Sequence, residues 1–490
     1  MIPLRRALTI LGRELQLQQR YGVLYAALVV VGLWAAVFAF LEEPTRRFLL
    51  PPVIVMDTAI FGFFLMTAMM FLEKSDRVLA AIVVSPLSTG RYLLNKVLSL
   101  TIVAVALTAL LVAILTPSAV NWALLVVGVA IGSVMTMLAG FVLAARFESM
   151  NTYIIPSALL LTVVQLPALH YFEIATSKLF YALPTMAPLA LVRGAFAPLP
   201  AWEVAYALAY GLLSCVLLHA WARRTFDRFV VGGAAGWRPT QARAARSDGR
   251  RRGPIAALVA ADLRNVRRDP LLVFMASYAL ILALLGRWLV PWLVEVLEPT
   301  FDLRPYVLLI VTFFAVQTGP LLLGAVSGLM LLDERDENSL TSLRVTPLPI
   351  GRYALYRASG PILLSTALCF AGVYFVGLVD APPLRIAAVA VVNALEAPII
   401  SLALVSLAGN KVEGMALMKG MGIFMFAPVI GWFVDPPMRW LIGVIPTLWP
   451  AEAFWQAVEP RGSFWPVIAV GLVSHLLLLW LLLRRFRRRL

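Results

Sequence analysis

The residues best able to do chemistry occur twice. Glu73-Lys74-Ser75-Asp76-Arg77 runs on to Ser85-Pro86-Leu87-Ser88-Thr89-Gly90-Arg91-Tyr92. Glu334-Arg335-Asp336-Glu337 runs, through Arg344, on to Thr346-Pro347-Leu348-Pro349-Ile350-Gly351-Arg352-Tyr353. Pro86 and Pro347 lie 347 − 86 = 261 positions apart, and the spacing from acid to proline to Gly-Arg-Tyr is the same in both copies. Carboxylates, ammonium and guanidinium groups at this density make charge-assisted hydrogen bonds. That is the chemistry of holding a partner, not of breaking a bond. Each copy directly follows a long apolar run, so a polar segment is duplicated at the edge of the same kind of element.

A second set of polar residues sits inside the apolar runs. Asp57 and Thr58 have Gln317 and Thr318 at nearly the same depth in the repeat, and Gln165, Phe424 and Phe426 fall on later runs. Polar groups at such positions are costly and face a cavity or a partner, so a substrate pathway and interhelical hydrogen bonding are equal readings. Glu396, with Asn393 one helical turn earlier, is the deepest acid. It reads either as a proton relay or counter-ion, or as a carboxyl that is protonated or paired with a neighbouring helix. No catalytic constellation appears: His170, His219 and His475 lack ligand spacing, and Cys215 and Cys369 lie in different apolar runs. A Gly-x-x-x-x-Gly-Lys-Ser/Thr phosphate loop is also missing.

The elements that position these residues follow from composition. With 61% hydrophobic and 14% charged residues, and a mean hydropathy of +0.88, the chain is far from a soluble domain. Runs of about 20 apolar residues, enough for a hydrocarbon core of roughly 30 Å, fall at 21–41, 51–72, 92–116, 119–145, 152–170 and 203–222, then at 271–293, 306–332, 353–378, 383–408, 414–433 and 464–483. These predict an all-α polytopic membrane protein of about twelve spans. Net charge is +15. Its arginines cluster before the first span, after the sixth and at the chain end, which puts both termini and the duplicated segment on the cytoplasmic side. Arginines bordering spans are explained by topology and anionic headgroups, so no nucleic-acid partner is expected.

The duplication extends to whole halves. Pro167 and Pro428 are again 261 apart, and Pro184-Thr185 matches Pro446-Thr447 at 446 − 184 = 262. Even span counts make the repeats parallel. Leu8, Leu11 and Leu15 fall at helical spacing among arginines and glutamines, and Ile255, Leu258, Ala261 and Leu263 mix with Asp262, Arg264, Arg267 and Arg268, so each half opens with an amphipathic interfacial helix. Residues 1–230 and 255–490 are the two six-span halves, and 231–254, rich in Gly, Ala and Arg, is a basic cytoplasmic linker. The proline-broken stretches 171–200 and 434–463 fit short re-entrant helices on the outer face better than extended loops.

With these parts in this order, twice over, the chain resembles the membrane permease subunit of a type 2 ATP-binding-cassette exporter, here with two half-permeases fused. The resemblance implies that the duplicated segments are coupling helices received by the ATPase, with contacts within Glu73 to Arg91 and Glu334 to Arg352. It implies ATP and magnesium bound in partner ATPase subunits, present as two copies or as two related chains, and no cofactor in this one. It further implies outward movement of an amphipathic or hydrophobic compound such as a drug, antibiotic or lipid across a bacterial plasma membrane. Two other readings are a proton-coupled twelve-span carrier and a membrane scaffold without a transport cycle. The loop Glu73-Lys74-Ser75-Asp76-Arg77-Val78-Leu79 lacks the glycines such a carrier usually shows there.

Overall fold

In the computed structural model the chain divides into two compact units, Met1–Ala245 and Arg246–Leu490. The residues described are 12–14, 16, 18–19, 23–39, 41–75, 89–116, 120–147, 150–231, 270–298, 302–336, 350–409, 413–414, 417–418, 422–435, 437–459 and 462–489. The predicted linker lies almost wholly outside them. So do Asp76, Arg77, Pro86, Glu337, Arg344 and Pro347 of the duplicated segments.

Unit one comprises α1 (Val23–Ala39), α2 (Glu43–Ser75), α3 (Thr89–Leu115), α4 (Trp122–Ala144), α5 (Met150–Gln165), α6 (Pro167–Tyr171), a 3-10 turn (Lys178–Ala182), α7 (Met186–Phe196) and α8 (Ala201–Phe226). Unit two comprises α9 (Pro270–Leu297), α10 (Val307–Val311), a π-helical turn (Thr312–Gln317), α11 (Thr318–Asp336), α12 (Ile350–Val376), α13 (Pro383–Ala394), α14 (Glu396–Leu407), a 3-10 turn (Gly422–Phe426), α15 (Ala427–Phe433), α16 (Arg439–Ile442), α17 (Leu448–Val458) and α18 (Phe464–Arg489). Ten helices among the described residues are long and apolar enough to cross a membrane, against the twelve expected spans. The first span retains 17 described residues as α1, and the eleventh has its longest described stretch at 422–433, a 3-10 turn and one short helix.

In each unit the second span packs most closely on the fourth: α2 on α4, and α11 on α14. Glycine permits the approach. A Cβ at Gly140 would lie 2.7 Å from the Phe63 carbonyl oxygen, and one at Gly324 would lie 2.7 Å from that of Ala397. The glycine sits on the fourth span in one unit and on the second span in the other, yet the crossing it makes is the same. Stretches 171–200 and 434–463 form short helices, with α7 packed on α4, α2 and α8, and α17 on α13, α18 and the π turn.

Prolines inside spans free backbone carbonyls four residues earlier, and neighbouring side chains take them. Pro52 leaves the Phe48 carbonyl, which accepts from the Tyr171 hydroxyl at 2.8 Å. Pro320 leaves that of Val316, which accepts from Asn393 Nδ2 at 2.7 Å. Pro398 leaves that of Ala394, and the α13–α14 helix is interrupted at Leu395. Asn393, deep in a span, thus serves to repair a proline-broken backbone.

Candidate functional site

The duplicated charged residues build the same device in each unit. At the end of α2 the Glu73 carboxylate accepts from the Tyr92 hydroxyl and from Lys96 Nζ, both on α3. At the end of α11 the Glu334 carboxylate accepts from the Tyr353 hydroxyl and, at 2.6 Å, from Arg357, both on α12. Tyr and cation are four residues apart, one turn of helix, so both reach the same acid from one face. Lys74 donates to the carbonyls of Ala144 (3.4 Å), Ala145 (3.5 Å) and Phe147 (2.9 Å) at the close of α4. Arg335 donates to those of Val405 (3.0 Å) and Ala408 (2.8 Å) at the close of α14. A cation there satisfies unpaired carbonyls and complements the helix dipole.

Every counterpart is 261 positions on: 73 and 334, 74 and 335, 92 and 353, 96 and 357, 144 and 405, 147 and 408. Each clamp ties three helices together at both ends of the intervening segment, 76–88 or 337–349. The two are not equally buried. Lys96 and Glu73 side chains are 1% and 14% exposed, whereas Arg357 and Glu334 are 22% and 26% exposed. In unit one the N-terminal stretch joins the network: Gln18 Nε2 donates to Ser99 Oγ at 2.8 Å, and burial raises the Glu14 carboxyl above its usual range, opposed by nearby Lys96 and reinforced by Glu73. Arg91 is exposed on the first turn of α3.

Lys96 and Arg357 escaped the sequence reading. A signal was present: a cation one turn after each Gly-Arg-Tyr, at the repeat's own offset.

The residues expected on a pathway each have their own surroundings within their unit. Asp57 is half-buried and accepts from Trp34 Nε1 at 3.3 Å. Thr58 is buried beside a narrow cleft with Thr136 and Thr185. Gln317 is 1% exposed and donates to the Thr447 carbonyl at 3.0 Å, while Thr318 Oγ1 donates to the Phe313 carbonyl at 2.6 Å inside the π turn. Gln165 is half-buried at the end of α5. Glu396 is buried at the α13–α14 break with one carboxyl oxygen lacking a hydrogen-bond partner. Phe426 is half-buried at the end of a 3-10 turn; the Phe424 and Arg352 side chains lie outside the described residues.

Two family profiles match the chain in tandem. Residues 5–234 match the fluoroquinolones export permease protein family, and residues 262–483 match the fluoroquinolones export permease protein Rv2686c-like family. The fluoroquinolones export permease protein Rv2686c of Mycobacterium tuberculosis (strain ATCC 25618 / H37Rv) is 32% identical over 240 residues, 48% of this chain and 94% of that relative. Rv2687c of the same strain, of the same description, is 31% identical over 229 residues, 46% of this chain and 97% of that relative. The chain belongs to the fluoroquinolones export permease family. Each relative is spanned almost end to end by about half of this permease, so it is a multi-pass membrane permease of two fused half-size units. No solved structure matches.

Proposed function

We propose that this permease is the transmembrane subunit of an ATP-driven exporter of the type 2 ATP-binding-cassette class. It moves a hydrophobic or amphipathic compound outward, and its relatives' names make a fluoroquinolone the first compound to test. Power comes from separate ATPase subunits, two per chain, which bind ATP and magnesium and dock on the segments Glu73 to Arg91 and Glu334 to Arg352. The membrane is the bacterial plasma membrane, with both termini cytoplasmic.

One observation carries this reading: the clamp at both ends of each docking segment is repeated residue for residue at one offset. A solvated loop has no need of it. A docking segment does, because a push from outside must reach several helices at once instead of being absorbed by one. Glu73 and Lys74 fasten the segment's start to α3 and to the end of α4, and Glu334 and Arg335 do so for α12 and α14. Exposed Arg91 is free to meet an acidic groove on the ATPase.

Cells expressing the permease with its ATPase should accumulate less fluoroquinolone than cells lacking either, and charge reversal at both Glu73 and Glu334 should abolish the difference. Reversal at exposed Glu42 should leave it intact. Export that persists without any ATPase and collapses with the proton gradient would replace this reading by a proton-coupled carrier.

A further inference from the structure

Unit two holds a cavity of about 1100 Å³ at the end of its helices away from the Glu334 clamp. Two tryptophan pairs wall it. Trp440 and Trp449 stack with centroids 5.7 Å apart and planes at 17°, and Trp432 meets Trp455 edge-on at 4.8 Å and 81°. Between them, Glu452 Oε2 accepts from Arg439 at 3.2 Å, and Glu452 Oε1 accepts from Gln456 Nε2 at 3.0 Å. Gln456 is 7% exposed, and its Oε1 has no hydrogen-bond partner, so the cavity wall carries an unused buried acceptor.

Among the described residues the lining bears the carboxylates of Asp380, Asp435, Glu452 and Glu459 and the guanidinium groups of Arg304 and Arg439. Both guanidinium groups are already engaged, Arg439 by Glu452 and the Val434 carbonyl, Arg304 by Glu298. Asp380 and Asp435 are exposed, and neither makes an ion pair among the described residues. Indole faces attract planar rings and cations, and the Asp380 and Asp435 carboxylates favour a cation over an anion.

Comparison with unit one argues that this lining is not simply what the fold leaves behind. At the repeat offset of 262, Trp449, Glu452, Trp455 and Gln456 correspond to Ala187, Ala190, Arg193 and Gly194. There Ala187 and Ala190 are buried in a packed apolar cluster with Ile131 and Leu191, and a Cβ at Gly194 would strike Leu199 and Leu124. Of these positions Ala187, Ala190 and Gly194 are closely packed in unit one and Arg193 is ion-paired with Glu203, whereas their counterparts in unit two wall a hollow with indoles and a carboxylate.

We infer that this cavity is a binding site for planar aromatic compounds carrying a protonated amine, with the ring between the tryptophans and a donor on the Gln456 Oε1. The site deepens the export reading and rests on it for the direction of travel, so binding and efflux are measured separately.

Ethidium, a planar aromatic cation, is titrated by fluorescence anisotropy into the full-length permease in lipid nanodiscs, with anilinonaphthalene sulfonate as the anionic control. Trp440→Ala, at a partly exposed ring, should weaken ethidium about fivefold to tenfold. Gln456→Leu should weaken a donor-bearing ligand similarly, and Asp380→Asn with Asp435→Asn should weaken ethidium but not the anion. Trp202→Ala, at the exposed start of α8 in unit one, should change nothing. Unchanged affinity in Trp440→Ala and Gln456→Leu variants that elute as the intact protein would overturn the assignment, as would an anion binding as tightly as ethidium. Efflux that stays normal alongside such unchanged binding would leave the export reading standing without this site.

Discussion

Replacing Glu73 by glutamine keeps the shape of the side chain and removes its charge. Lys96 then holds an ammonium group that is 1% exposed, with the half-buried Glu14 carboxyl as its remaining acidic neighbour. Breaking a buried pair from one side costs about 3–5 kcal/mol, and because Glu73 is 14% exposed and water reaches it, the lower end, about 3 kcal/mol, applies. For a unit of this size about 1 kcal/mol moves the midpoint by roughly 2–4 °C, so unit one should melt roughly 6–12 °C lower. The matching Glu334→Gln change strands an Arg357 that is already 22% exposed, and solvent screening reduces its cost to about 1 kcal/mol, or roughly 2–4 °C. Differential scanning fluorimetry gives the midpoints, and hydrogen exchange across 89–100 and 350–361 assigns each loss to its own unit. Adding Lys96→Met to Glu73→Gln should recover most of the lost stability, since the penalty lies in the stranded charge. A Glu73→Gln protein melting within about 2 °C of the parent, or no lower than Glu334→Gln, would refute the reasoning from burial.

Three further outcomes follow from the packing. Gly140→Ala and Gly324→Ala each force a methyl group to within 2.7 Å of a backbone carbonyl oxygen, and each should cost about 1–3 kcal/mol, read as a lower denaturation midpoint, whereas Gly32→Ala, with open space around it, should not. Gln317→Leu removes the bond to the Thr447 carbonyl and should cost about 0.5–1.5 kcal/mol, measured by thermal unfolding with drug efflux assayed alongside. Glu14, whose carboxyl is raised above the ordinary value of 4.5 by burial, holds its proton more readily folded than unfolded. Its contribution to docking of the N-terminal stretch is therefore full below about pH 4.5 and is lost as pH rises through the folded-state value. Glu14→Gln should hold residues 12–19 equally well at pH 4 and pH 8, by hydrogen exchange, where the parent loosens at pH 8.

Much of the fold was legible because membrane spans are written in composition, and the duplication was legible because it keeps register for 261 residues. The clamp was legible only in part. Glu73 and Glu334 stood out as charges at the edge of apolar runs, but their partners Lys96 and Arg357 lie inside runs that read as span, and only the three-dimensional return of α3 and α12 brings them to the acid. Gln317 and Asn393 drew notice as polar groups at depth. Their partners, Thr447 and the Val316 carbonyl freed by Pro320, are up to 130 positions away, and no local spacing signals such a pairing. The tryptophan cavity was hidden for a different reason: aromatic residues between irregular helices read as apolar filling until one unit proves packed and the other hollow.

The coupling of these clamps to an ATPase is tested most directly by gentle solubilisation from the native membrane, purification, and quantification by mass spectrometry of what accompanies the chain. An ATP-binding-cassette ATPase at about two copies per permease, lost on Arg91→Glu combined with charge reversal of both Glu73 and Glu334 but kept on Glu42→Lys, is the predicted result. A permease recovered alone, even after crosslinking in the intact membrane, would contradict it.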